Sequence, residues 1–199
     1  MYKNITKVLA LIMLSTTLLL AQPLPYNWPS VNNWSGGKFD VPTWFAPDMK
    51  VSGYEILRFH EGYYDSNSVG HWSYVFALVV NETQEIDTSF LIDETQRYFL
   101  GLGRVLGDKK DMNLKADAIS VIPTSSSYKS SYTGQVQNFQ LNAFDSWESA
   151  QTIKLNTRIY TYLCQDKHHR AIVYAISPQK FAHPIWDQLT AEANAFSCP

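Results

Sequence analysis

The sequence predicts an α+β fold: a single domain with a mainly antiparallel sheet of about five or six strands and two helices packed on one face. Three observations lead there. Two segments carry apolar residues at three- and four-residue steps, while several shorter ones alternate with a period of two. The order is two strands, a helix, a run of strands and a last helix, which favours antiparallel pairing over βαβ crossovers. Neither an internal repeat nor a long linker divides the chain.

Residues 1–21 read as an export signal. Lys3 and Lys7 precede the apolar run "VLALIMLSTTLLLA", and Ala21 offers a small residue for cleavage. A bilayer span needs about 20 apolar residues, so no membrane span is expected once the signal is removed. The expected location is outside the cytoplasm, periplasmic or secreted. Residues 22–50 hold five of the nine prolines together with Trp28, Trp34 and Trp44. Proline at that density forbids a regular helix and removes ladder donors. The segment reads as an extended arm whose rings dock on the body of the protein, residues 51–199; exposed Trp rings that form a glycan or partner surface are the alternative.

"GYEILRFH" and "HWSYVFALVV" read as the first two strands, joined by the polar loop "EGYYDSNSVG". In the second strand both faces turn apolar towards its end, as expected of a central position. The stretch "DTSFLIDETQRYFLGLGRVLG" is the clearest helix. Leu91, Thr95, Tyr98, Leu102 and Val105 form its stripe, and Asp87 or Thr88 can cap its start. Gly101 and Gly103 each cost helix propensity, about 1 kcal/mol, which implies a close approach of the helix to the sheet. "KADAISVI", "GQVQNFQLNAF", "AQTIKLNTRIYTYLC" and "AIVYAIS" read as further strands, and "PTSSSYKSSYTG" as a Ser/Tyr-rich loop. "HPIWDQLTAEANAF" reads as the second helix, with Pro184 near its first turn.

Cys164 and Cys198 are the only cysteines. In an exported chain an even pair points to a disulfide, which would tie the last helix to the sheet. Closing a loop of about 34 residues is worth roughly 4 kcal/mol on the chain-entropy account. The formal charge of −2, without a basic cluster, argues against nucleic acid. No cofactor motif is present: the glycines of "GLGRVLG" end a helix instead of preceding one.

Several pieces, "GYEILRFHEGYYD", "HWSYVFAL", "RYFLGL", "KLNTRIY", "SPQKFAHPIWDQL" and a terminal "FSC", resemble a group of exported bacterial proteins of unknown function. The resemblance implies an exported single domain in a bacterial envelope. It implies no reaction.

Two constellations carry possible chemistry. His60, Glu61, Asp65 and His71 flank and occupy the first loop, and all are competent metal ligands or acid–base groups. They would centre a small hydrolase or metal-dependent enzyme, against the plainer reading of a wet turn. Arg158, Tyr160 and Tyr162 alternate on one strand face with Lys154 and Asn156. Left uncovered, that face would suit a small polar ligand, a glycan or an envelope protein. Nucleophilic catalysis has no support: no G-x-S-x-G elbow occurs, and Ser125, Ser126, Ser127, Ser130 and Ser131 sit in the Ser-rich loop. His168 and His169 fall in a turn and His183 at a helix entry. The leading expectation is a non-catalytic binding domain.

Overall fold

The computed structural model describes residues 26–81, 86–108, 120–129, 135–144 and 152–198; the expected signal, residues 1–21, lies outside them. The elements in chain order are β1 (Ser35–Val41), β2 (Gly53–Phe59), β3 (Tyr74–Val80), α1 (Thr88–Asp108), β4 (Ser120–Lys129), β5 (Gln135–Phe144), β6 (Thr152–Leu163), β7 (Arg170–Ser177) and α2 (Ile185–Asn194). One sheet joins the strands in the order β1-β2-β3-β7-β6-β5-β4, every neighbouring pair antiparallel. Two meanders, β1–β3 and β4–β7, thus meet along β3 and β7, and α1 carries the chain from the middle to the far edge.

The α+β class agrees with the sequence, but the sheet has seven strands instead of five or six. The additional one is β1, which forms within the Pro/Trp-rich arm and pairs with β2 from Ser35↔Phe59 to Val41↔Gly53. In the far meander, "PTSSSYK", expected as loop, belongs to β4 and pairs with β5 across a register shift between Thr124 and Ser127.

The helices also do not share a face. Tyr74, Phe76, Leu78 and Val80 of β3 pack with Leu91, Tyr98 and Phe99 of α1. Val75, Ala77 and Val79 of the same strand pack with Ile185, Trp186, Leu189 and Ala193 of α2. The physical reason is the composition of β3 and β7. Both are apolar on both faces and buried nearly end to end. Each large side chain so buried contributes about 1.5–3 kcal/mol, which requires a cover on each side. At the centre Phe76 stacks on Tyr174 with ring centroids 4.3 Å apart.

The N-terminal segment wraps the β1 edge from one face to the other. On the α2 face, Trp28 donates from Nε1 to Glu192 O (2.9 Å) and meets the Phe196 ring. Asn27 and Ser197 exchange two backbone hydrogen bonds of 2.8 Å. Past β1 the chain crosses to the α1 face, where Ala46, Met49 and Val51 are buried. Gly101 of α1 makes this possible: a Cβ there would lie 2.4 Å from Phe45 O and 2.7 Å from Ala46 Cα. The close approach expected at this glycine is therefore to the arm, not the sheet. The disulfide Cys164–Cys198 is present and ties the end of α2 to the end of β6.

Candidate functional site

The first loop, residues 60–73, is a succession of turns. Backbone bonds run from Tyr63 N to His60 O, Asp65 N to Gly62 O, Ser68 N to Asp65 O and His71 N to Ser68 O, all between 2.9 and 3.2 Å. Its polar side chains serve that backbone. His60 Nδ1 accepts from Gly62 N at 2.9 Å, and its ring meets the edge of Trp34. Burial pushes the His60 imidazole below its ordinary pKa, against a smaller upward pull from Glu61. The ring is so close to Gly70 that a Cβ there would fall 1.9 Å from Nδ1. His71 Nδ1 donates to Tyr63 O at 3.1 Å, since a carbonyl only accepts. Asp65 Oδ1 accepts from Asn67 N, and Glu61 is exposed. Among the described residues no three His, Cys, Asp or Glu side chains are grouped as a metal site.

What the loop builds is a wall of rings. Trp72, with φ of +53°, is held in the left-handed region yet fully buried. That conformation costs a bulky residue of order 1–3 kcal/mol, and it persists because the loop over-determines it. Tyr63 packs against Trp72, Tyr64, Phe59 and Tyr74 at centroid distances of 4.7 to 5.8 Å.

These rings border a cavity of about 280 Å³ at the β1 edge on the α1 face. Its volume is near the low end of the roughly 300–1,000 Å³ typical of small-molecule sites. Four parts of the chain contribute. The loop supplies Tyr63, Tyr64 and Trp72; β2 supplies Glu55, Leu57 and Phe59, the alternate residues that point to this face. Tyr98 and Leu102 come from α1, Tyr74 from β3. Phe39 of β1, with Trp44 and Phe45 beyond it, completes the edge. The outer rings are open to solvent: Phe39, Trp44 and Tyr64 are 45%, 71% and 62% exposed.

Glu55 is the one charged residue in this lining and is 0% exposed. Tyr98 Oη donates to its Oε1 at 2.6 Å, while Oε2 has no partner among the described residues. Burial pushes the carboxyl up from 4.5 to about 7, and the Tyr98 hydrogen bond pulls it back only in part. The surrounding phenols of Tyr74 and Tyr98 are themselves driven well above 10, mainly by burial. Near neutral pH the site therefore holds a carboxyl poised between its two states in a pocket of rings.

The other expected residues lie across the sheet. Arg158 donates to Asn138 Oδ1 (3.3 Å) and Thr190 Oγ1 (3.2 Å), and its guanidinium lies over the Phe181 and Trp186 rings. Tyr160 is buried in the α2 cluster, and Tyr162 Oη donates to Phe196 O. From Asn156 to Tyr162 the polar face of β6 meets α2 and the segments flanking it, while Lys154 is exposed. His183 Nδ1 accepts from Ile185 N, and His169 pairs with Asp166 in an exposed turn.

Glu55 went unnoticed in the sequence because an acid in a strand reads as solvent-facing. A signal was present: it alternates with Leu57 and Phe59 and so must share their buried face. No family model, curated protein or solved structure matches the chain.

Proposed function

We propose that this is an exported, non-catalytic binding domain of a bacterial envelope, which takes a small, largely apolar ligand into the aromatic cavity between β1, β2, the first loop and α1. The single observation that carries the reading is a buried carboxyl with a bare oxygen lining a ring-walled cavity. A buried polar atom without a partner calls for an explanation, and this one belongs to a residue that lines a cavity. The disulfide supports an oxidising compartment, in line with the basic and apolar start of the chain. No helix among the described residues is long and apolar enough to cross a membrane. Binding is favoured over catalysis because, apart from Glu55, the lining offers leucines and rings, and burial holds the inner phenols, Tyr74 and Tyr98, well above 10, far from the range that suits acid–base work.

The test uses the neutral, apolar fluorophore N-phenyl-1-naphthylamine. Saturable one-to-one binding is expected, weakened at least tenfold by Leu102→Trp, which fills the cavity from the α1 side. Equal binding by the two proteins, with circular dichroism showing both folded, would place the probe elsewhere and sink the reading.

A further inference from the structure

We infer that the ligand is an organic cation, an alkyl- or arylalkylammonium whose charged head lies among the rings with Glu55 as its counter-ion. The inference rests on the cavity being a binding site and adds the class of compound that fills it.

Three features point to a positive charge. The walls are mostly aromatic, and ring faces carry the negative lobe of a quadrupole that attracts ammonium groups. The lining contains a carboxyl and no Lys, Arg or His, so no positive charge there offsets that of an anionic ligand. Lastly, Glu55 Oε2 is a bare acceptor buried at the cavity wall, where an N–H donor with a positive charge gains most.

The other buried glutamates show what occupied carboxyls look like in this fold. Glu94 accepts the Lys50 backbone N–H at 3.0 and 3.2 Å and lies beside the Arg97 guanidinium. Glu192 Oε2 accepts from Val31 N and Asn32 Nδ2, both at 3.1 Å. Each ties down part of the N-terminal segment. Glu192 also has a bare oxygen, Oε1, but its partner oxygen already holds two donors. Glu55 has a single phenol donor, and it alone of the three lines the cavity.

Binding a cation selects the ionised carboxyl, so occupancy is linked to proton release. The titratable groups that face Glu55 are Tyr98 from α1, Tyr74 from β3 and Tyr174 from β7, with Tyr63 of the loop beyond Tyr74 and Glu94 of α1 beyond Tyr174. From β1 the facing residue is Phe39. None of them supplies a competing positive charge.

The probes are 2-phenylethylammonium and its uncharged counterpart 2-phenylethanol, titrated by calorimetry or aromatic proton shifts. At pH 8 the ammonium should bind at least tenfold more tightly than the alcohol. That preference should shrink about tenfold or more by pH 5.5 as Glu55 takes up its proton, and vanish with its pH dependence in Glu55→Gln. Tyr98→Phe is the second variant. It removes the hydrogen bond that favours the ionised carboxyl, so the midpoint of ammonium binding should move to higher pH, an outcome that loss of fold alone does not produce. Equal affinity for the two probes, or binding of N-phenyl-1-naphthylamine but neither probe, overturns the cation while the cavity stands. Failure of all three ligands removes both.

Discussion

The two faces of the sheet are built from the same materials and end differently. On the α2 face the described residues form one packed cluster. Trp28 and Phe196 cap the helix, Arg158 lies under Trp186 and Phe181, and a disulfide fixes the end of α2 to β6. On the α1 face the helix covers β3 and β7, but towards the β1 edge rings stand apart around a cavity. Both faces bury glutamates. Those at positions 94 and 192 hold backbone N–H groups of the arm, whereas Glu55 holds a phenol and borders the cavity. The difference separates carboxyls that hold backbone of the arm from one that borders a cavity, and on the proposed reading only the second is left for another molecule.

The largest expected effect breaks the closed face. Replacing Cys164 and Cys198 together by Ser frees a closed loop with a sequence separation of 34 residues. The loss should be about 4 kcal/mol, or roughly 10 °C in melting temperature for a domain of this size. Thermal melts of the oxidised protein and the double variant check it. At temperatures where the variant remains folded, the cavity should still bind N-phenyl-1-naphthylamine, since the link lies on the other side of the sheet. A loss under about 1 kcal/mol would mean that α2 and the arm dock without help from the link.

Next in size is the charge on the open face. Glu55 is pushed from 4.5 to about 7 in the folded protein, so between those values the native state keeps a proton that the unfolded chain releases. Its stabilising contribution is complete below pH 4.5 and is lost as pH rises through 7, with a total on the order of 3 kcal/mol. Glu55→Gln removes that loss. Urea unfolding at pH 5 and pH 8 should therefore show the variant gaining on the natural protein by a few kcal/mol over that interval. Comparing the two proteins at each pH cancels the titration of Glu94, which burial also raises. A difference that does not change with pH would show that Glu55 is ionised in the free protein at both values.

Much of this contrast was legible in the residues, though unevenly. Periodicity located β2, β3, β6, β7 and both helices, and the Asp87 cap is real, with Phe90 N donating to Oδ1 at 2.7 Å. The double-sided apolar pattern of β3 already called for two covers, so opposite helix faces could have been inferred from Val75, Ala77 and Val79 as much as from Phe76 and Leu78. β1 was hidden because an edge strand with Gly36, Gly37 and a mostly exposed surface has no alternation to detect. The start of β4, Ser120–Ile122, falls in "KADAISVI", which reads as a strand, whereas its continuation from Pro123 was hidden by its serines. The histidines of the first loop signal chemistry by type, yet His60 and His71 each engage Nδ1 with the backbone of the turn. Its tyrosines and Trp72, read as packing, are what borders the cavity. A residue type signals possible chemistry, but the partners available to each lone pair decide whether any is left over.

The smallest effect tests whether the open face depends on how closely the arm approaches α1. In Gly101→Ala the new methyl would sit 2.4 Å from Phe45 O, so the arm must move outward. Overpacking of this kind costs about 1–3 kcal/mol, and the gain in helix propensity returns about 1. A net loss near 1 kcal/mol is expected. The sharper readout is binding. Phe45 and its neighbour Trp44 line the cavity, so displacing them should weaken N-phenyl-1-naphthylamine severalfold while the Trp28–Phe196 contact across the sheet keeps its near-ultraviolet dichroism. If stability falls and binding does not, the arm is only a lid on the core and the ligand contacts lie with β2, the loop and α1 alone.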